Sequence, residues 1–241
     1  MNIKIGNIIA DEKEFAPFKE CLKQFEGYEY TTRHNIKRVH ATIKSGENGI
    51  ELVTVFSGIG KVAAAAAAAY LVAEGADYII NSGLSGGISG VRIGDIAAGT
   101  QYQMTDFDLT AIGYEKGLLC DCESIFSANG ILLNAFLKAI PYAKQGKLAT
   151  GDIFVSSSDL KNELKTNFGV IACDMESAAI AYVCHRAEIP FLSFRRISDN
   201  ADDTAYDSYS EMNDKKEETL YQITCEFINE LINQGEIFKR K

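Results

Sequence analysis

Gly49-Ile50-Glu51-Leu52-Val53-Thr54-Val55-Phe56 leads through Ser57-Gly58-Ile59-Gly60-Lys61 into the alanine block Ala63 to Ala69, and from there to Tyr78-Ile79-Ile80-Asn81. The outer two segments are short apolar runs bounded by turn residues, the pattern of buried strands. Alanine has the highest helix propensity of any residue, and its small side chain lets a helix lie flat on a sheet. Strand, glycine-rich turn, helix and strand make one unit of an α/β fold.

The same alternation extends outward in both directions. Lys4 to Ala10 reads as a strand, Glu14 to Gln24 as a helix with Phe15, Phe18 and Leu22 at helical spacing, and Tyr28 to Lys44 as a strand or hairpin. Downstream, Ser82-Gly83-Leu84-Ser85-Gly86-Gly87 reads as a turn-forming loop, Gly94-Asp95-Ile96 as the start of a strand, and Thr105 to Cys122 as a long loop suited to binding or subunit contact. Helices are expected over Ile131 to Ile140, Ser157 to Phe168 and Glu176 to Ala187, and strands over Lys147 to Phe154, Ile171 to Asp174 and Phe191 to Ile197. Tyr209 to Gln234 keeps apolar residues at helical intervals and is expected to be one long amphipathic helix. The whole, residues 1–241, is expected to form a single α/β domain: a central mixed, largely parallel twisted sheet with helices on both faces. Ligands in such sheets bind beyond the carboxyl ends of the strands.

Composition narrows the function. A net charge of -9 leaves no basic stripe to release counterions from a phosphate backbone, so nucleic acid is not an expected partner. The apolar run Val62 to Val72 falls short of the roughly 20 residues that span a bilayer, and no membrane association is expected. The start shows no secretory h-region, and the six cysteines show no paired zinc spacing, so reduced cytoplasmic thiols are expected, with no metal and no cofactor. With only three histidines, none beside a cysteine and acid cluster, a nucleophilic triad has no support.

Carboxylates at element ends are the chemical signal. Asp174-Met175-Glu176 stands at a strand-to-helix junction, and Arg195, Ser198 and Asp199 close an apolar strand. Such groups suit acid and base work on a glycosidic bond. Each also has a plainer reading: Asp11, Glu12 and Glu14 as helix-start acids favoured by the macrodipole, Glu176 likewise, and Asp199 as a cap or turn residue. Ser57 to Lys61 is either a phosphate cradle at a helix N-terminus or a tight structural turn; it lacks the spacing of a Walker loop or a dinucleotide fingerprint.

Taken together, Ile8 to Glu14, Ser57 to Ala63, Asn81 to Gly87, Gly94-Asp95-Ile96, Asp106 to Tyr114, Gly151-Asp152-Ile153-Phe154, Asp174-Met175-Glu176 and Arg195 to Asp199 resemble the nucleoside phosphorylase and nucleosidase superfamily. The resemblance is greatest to its 5'-methylthioadenosine/S-adenosylhomocysteine nucleosidase branch. It implies that Asp199, aided by Ser198, protonates N7 of adenine, and that Glu14, with Arg195 nearby, activates the attacking water. It further implies that Glu176 holds the ribose hydroxyls with Met175 against the sugar, and that Asp174 belongs to the same substrate-binding segment. Phe154 would stack on adenine, the Val155 backbone would read the purine edge, and Ile59 and Tyr209 would touch the sugar and its 5' group. Leu109 and Ile112 would be lent by the second subunit of a homodimer. The chain departs from the branch at Asp11, where Met is usual, and at Leu84, where a water-holding Ser is usual, although Ser85 follows at once. The implied activity is hydrolysis of 5'-thio-substituted adenosines, the partners being the nucleoside and adenine. The alternatives are a phosphorylase of the same fold and a non-catalytic nucleoside sensor.

Overall fold

The computed structural model describes residues 2–46, 48–214 and 219–239. In chain order the elements are β1 (Asn2–Ile9), α1 (Glu12–Cys21), β2 (Glu26–Arg33), β3 (Ile36–Ser45), β4 (Asn48–Phe56), α2 (Lys61–Ala73), β5 (Tyr78–Gly87) and β6 (Ile96–Met104). They continue as β7 (Ile125–Ser127), α3 (Gly130–Ala139), β8 (Lys144–Thr150), α4 (Ser158–Glu163), β9 (Ala172–Asp174), α5 (Ser177–Arg186), β10 (Phe191–Asp199), α6 (Ala205–Asp214) and α7 (Thr219–Gln234).

Period-two alternation sorts the strand side chains into two cores. In β1, Ile3, Ile5 and Ile9 face a cluster with Phe15 and Phe18 of α1, Phe136 of α3 and Phe227 of α7. Ile8 faces the other way, into a cluster with the alanines of α2 and with Ala178 and Ile180 of α5. Ala64, Ala67, Ala68 and Leu71 are the buried stripe of α2. The helix comes so close that a Cβ on Gly6 of β1 would stand 2.6 Å from Leu71. Helices therefore cover both faces of the sheet.

The sheet is mixed. β4, β1, β5 and β10 run parallel to one another in that order, while β2 and β3 extend the β4 edge as antiparallel hairpins. On the other side β5 pairs with both β10 and β9, and β10, β6, β8 and β9 complete a closed ring of strands with it. That closure gathers the last residues of β5, β8, β9 and β10 around one point.

Three boundaries differ from the sequence reading. Ser82 to Gly87 is the end of strand β5 and not a loop; its glycines answer to close packing, since Gly83 lies opposite Arg195 of β10, and Gly86 opposite Cys173 of β9. The strand expected over Lys147 to Phe154 runs instead from Lys144 to Thr150, and Gly151 to Val155 leave the sheet. The helix expected over Tyr209 to Gln234 begins earlier as α6 and continues as α7. Residues 215–218 of that segment lie outside the described residues. No helix among the described residues is long and apolar enough to cross a membrane.

Candidate active site

A cavity of about 420 Å³ opens where β1, β4, β5, β8, β9 and β10 end. Its walls include Asp11, Glu14, Ile59, Leu84, Phe154, Val155, Asp174, Met175, Glu176, Arg195, Ser198, Asp199 and Tyr209, so every residue to which the resemblance gives a role within one chain reaches it. Leu109 and Ile112 do not line it. They sit in the β6–β7 segment, and Ile112 is 69% exposed.

Arg195 is the centre. Its side chain is fully buried, with Nε donating to Ser193 Oγ at 3.1 Å, one terminal nitrogen donating to Asn81 Oδ1, and the other donating to Glu176 Oε2 at 3.4 Å. Asp174 Oδ2 lies 3.2 Å from the guanidinium as an ion pair without hydrogen-bond alignment. Asn81 is itself fixed, since its amide donates to Ile8 O at 2.9 Å. A buried guanidinium is tolerable only with such satisfied partners.

Asp174 caps α5. Its Oδ1 accepts the N–H groups of Glu176 (3.0 Å) and Ser177 (2.9 Å) and the Thr150 hydroxyl (2.8 Å). This leaves the Glu176 carboxylate without a capping duty, which removes the plainer reading of Glu176 as a helix-start acid. Instead it crosses to the opposite loop, where Oε1 accepts the Gly60 N–H at 3.1 Å. Gly60 has φ of 98°, a left-handed conformation suited to glycine, and a Cβ there would approach Asp152 Oδ1 to 3.0 Å. Lys61 N–H in turn donates to Asp152 at 2.8 Å. The N-terminus of α2 is thus occupied by the protein's own carboxylates, and Ser57 to Lys61 is a structural turn rather than a phosphate cradle. Burial holds the Glu176 carboxyl above its ordinary pKa, with Arg195 opposing.

Glu14 lies in the first turns of α1, buried, with Oε1 accepting the Leu84 N–H at 2.9 Å. Burial pushes its pKa up to about 8, against the Leu84 hydrogen bond and Arg195, and with help from Asp11 and Glu176. Its capping reading fails too, because Asp11 caps α1 by accepting the Lys13 N–H at 2.7 Å. Leu84 faces the cavity, and strand alternation places Ser85 off it, so the Ser85 hydroxyl does not stand in for a hydroxyl at position 84.

Asp199 ends β10 on the far side of β5 from Glu14. Its Oδ2 accepts the Ser198 hydroxyl at 2.7 Å and its Oδ1 the Ala201 N–H at 2.8 Å. The turn-residue reading is therefore half right: one oxygen organises the turn while the residue also lines the cavity. Burial raises its pKa, and these two hydrogen bonds oppose the rise. Phe154 is 42% exposed at the cavity wall, with its ring edge-on to Tyr209 at 5.6 Å between centroids.

Asn81, Ser193 and Thr150 complete the site and were not singled out for it in the sequence. Their signal is a polar residue inside an apolar strand, as in Ile79-Ile80-Asn81 and Phe191-Leu192-Ser193-Phe194.

This is an α/β fold with a carboxylate-lined cavity at its strand ends, and the family model described as Phosphorylase superfamily matches residues 4–229. The chain belongs to that superfamily. Among solved structures it is similar to futalosine hydrolase of Helicobacter pylori strain 26695, with TM-score 0.88 and 26% identity, covering 95% of this chain and 98% of that one. It is similar to the 5'-methylthioadenosine/S-adenosylhomocysteine nucleosidase from Neisseria meningitidis in complex with methylthio-immucillin-A, with TM-score 0.84 and 32% identity over 96% and 99% of the two chains. It is also similar to S-adenosylhomocysteine nucleosidase from Streptococcus pyogenes in complex with 5-methylthiotubericidin, with TM-score 0.85 and 30% identity over 95% and 98%.

Proposed function

We propose that this protein is a nucleosidase that hydrolyses the N-glycosidic bond of 5'-thio-substituted adenosines, of the 5'-methylthioadenosine and S-adenosylhomocysteine type, and releases adenine. The observation that carries this reading is the division of labour among three buried carboxyl groups around one cavity: Glu14 held by Leu84, Glu176 by Gly60 and Arg195, and Asp199 by Ser198.

Asp199, with its proton affinity raised, protonates the purine at N7, so that the base departs neutral. The sugar then carries oxocarbenium-like positive charge, which ionised carboxylates stabilise. Glu176 receives the ribose hydroxyls, with Met175 against the sugar face. Glu14, poised near neutral pH, takes the proton of the water that attacks C1'. Phe154 stacks on the base, the Val155 backbone reads its edge, and Ile59 and Tyr209 contact the sugar and its 5' group.

Water is favoured over phosphate as nucleophile because Arg195, the one cation among the described residues of the cavity wall, is already engaged by four protein groups. An entering dianion would have to compete with Glu176 and Asp174 for that guanidinium. The active form is a homodimer, with Leu109 and Ile112 of each subunit closing the 5' end of its partner's cavity.

The test is base release, in phosphate-free buffer, from 5'-methylthioadenosine, S-adenosylhomocysteine, adenosine, inosine and futalosine. Preference for the two 5'-thioadenosines supports the reading. Preference for futalosine would move the chain to the activity named for the Helicobacter relative, release only after phosphate is added would make it a phosphorylase, and release from none with or without phosphate would leave a nucleoside-binding protein without turnover.

A further inference from the structure

Asp11 differs from the other acids of the cavity. Its Oδ1 caps α1, and no described lysine or arginine is paired with it, whereas Glu176 and Asp174 share Arg195. It is half-buried and part of the cavity wall, to which half-buried Tyr209 and exposed Tyr206 also belong.

Its place along the cavity follows from the sheet. Asp11 leaves β1 and Asp199 ends β10, and β5 lies between those two strands. Their carboxyl ends are therefore about 10 Å apart, two strand spacings. Asp11 and Asp199 both act on Tyr209, so that ring lies between the two ends of the cavity, and Asp11 acts on Glu14 as well. With the base at Asp199 and the ribose diol at Glu176, Asp11 is left facing the 5' substituent.

We propose that Asp11 is a specificity-determining residue that selects nucleosides whose 5' substituent carries a protonated amine and rejects those whose 5' substituent is anionic. A cavity wall that carries a carboxylate and two tyrosine rings suits an alkylammonium group, which gains from the opposite charge and from aromatic faces. The proposal rests on the orientation of the nucleoside given under Proposed function.

The experiment compares three 5'-thioadenosines that differ only in the terminal group: methylthio, 2-aminoethylthio and 2-carboxyethylthio. Dissociation constants and adenine release are both measured, for the wild-type protein and for Asp11→Asn, which keeps the helix cap because Asn caps as well as Asp. The wild type is expected to bind the amine about tenfold more tightly than the acid, and Asp11→Asn to bring that ratio close to one. An unchanged ratio in Asp11→Asn, or no charge preference in the wild type, overturns the proposal. Charge-ordered binding that Asp11→Asn abolishes, without adenine release, sustains the selection by Asp11 and refutes the hydrolase reading. Adenine release without charge order does the reverse, and binding of none of the three refutes both.

Discussion

Glu14 and Leu84 are joined by one hydrogen bond, 2.9 Å from the Leu84 N–H to Glu14 Oε1, so the backbone of β5 and not a side chain at position 84 aims the carboxylate. Any residue but proline at 84 can supply that N–H. The side chain there decides only what faces the cavity.

Burial of Glu14 costs stability, and the cost depends on pH. Its folded pKa of about 8 lies above the ordinary 4.5, so the folded chain holds the proton more tightly than the unfolded one. That advantage is full below about pH 4.5 and is lost as pH rises to about 8, at roughly 1.4 kcal/mol per pH unit and so up to about 5 kcal/mol. Glu14→Gln, neutral at every pH, is expected to unfold at a higher temperature than the wild type at pH 8, with the gap shrinking toward pH 5. The same variant should lose about 100-fold or more in kcat, since it removes the base. Thermal melts at several pH values, paired with adenine release, check both; equal melting temperatures at pH 8 would mean that Glu14 is not strained by burial.

Asp199→Asn preserves shape and removes the proton. It is expected to lower kcat by about 1,000-fold while changing ligand affinity only a few-fold, because general acid catalysis contributes about 100- to 10,000-fold. Turnover and calorimetric binding of 5'-methylthioadenosine measure the two quantities. Full activity would remove Asp199 from the chemistry.

Gly83 is the narrow point between base and guanidinium. A Cβ there would stand 2.7 Å from one terminal nitrogen of Arg195 and 3.3 Å from Glu14 Oε2. Arg195 is pinned by Asn81 and Ser193 and has little freedom to yield. Gly83→Ala is expected to destabilise by about 1–3 kcal/mol and to lower kcat by at least about tenfold. Urea denaturation and steady-state kinetics test this, and wild-type behaviour in both would show that the Glu14–Arg195 spacing is not critical.

Ile112 presents a large apolar side chain to solvent in the described chain, 69% exposed. If it closes a partner's cavity, Ile112→Asp should shift the protein toward monomer in sedimentation equilibrium and raise KM. A wild-type protein that sediments as a monomer contradicts the dimer.

Much of this arrangement is legible in the sequence. The βα alternation from Lys4 to Asn81 gives much of the parallel part of the sheet, because the Ile- and Val-rich apolar runs and the helix propensity of the alanine block leave little choice. Glu14, Glu176 and Asp199 then stand just beyond or at the carboxyl ends of β1, β9 and β10. Other parts are hidden for physical reasons. Ser82 to Gly87 reads as a turn, since glycine is both a turn former and the residue that permits strand and side chain to approach closely; only the positions of Arg195 and Cys173 decide between the two. The ring closure through β9 depends on a two-residue pairing, Gly86 with Cys173 and Gly87 with Ala172, too short to leave a periodic pattern. That Asp174 caps while Glu176 is left for the cavity depends on backbone geometry that the string Asp174-Met175-Glu176 does not encode by itself.

The nature of the nucleophile is tested most directly by phosphorus NMR of 5'-methylthioadenosine turnover in phosphate buffer. Adenine should accumulate while the inorganic phosphate signal stays constant, because water attacks C1'. A sugar 1-phosphate resonance growing in step with adenine would contradict hydrolysis and place the protein among the phosphorylases.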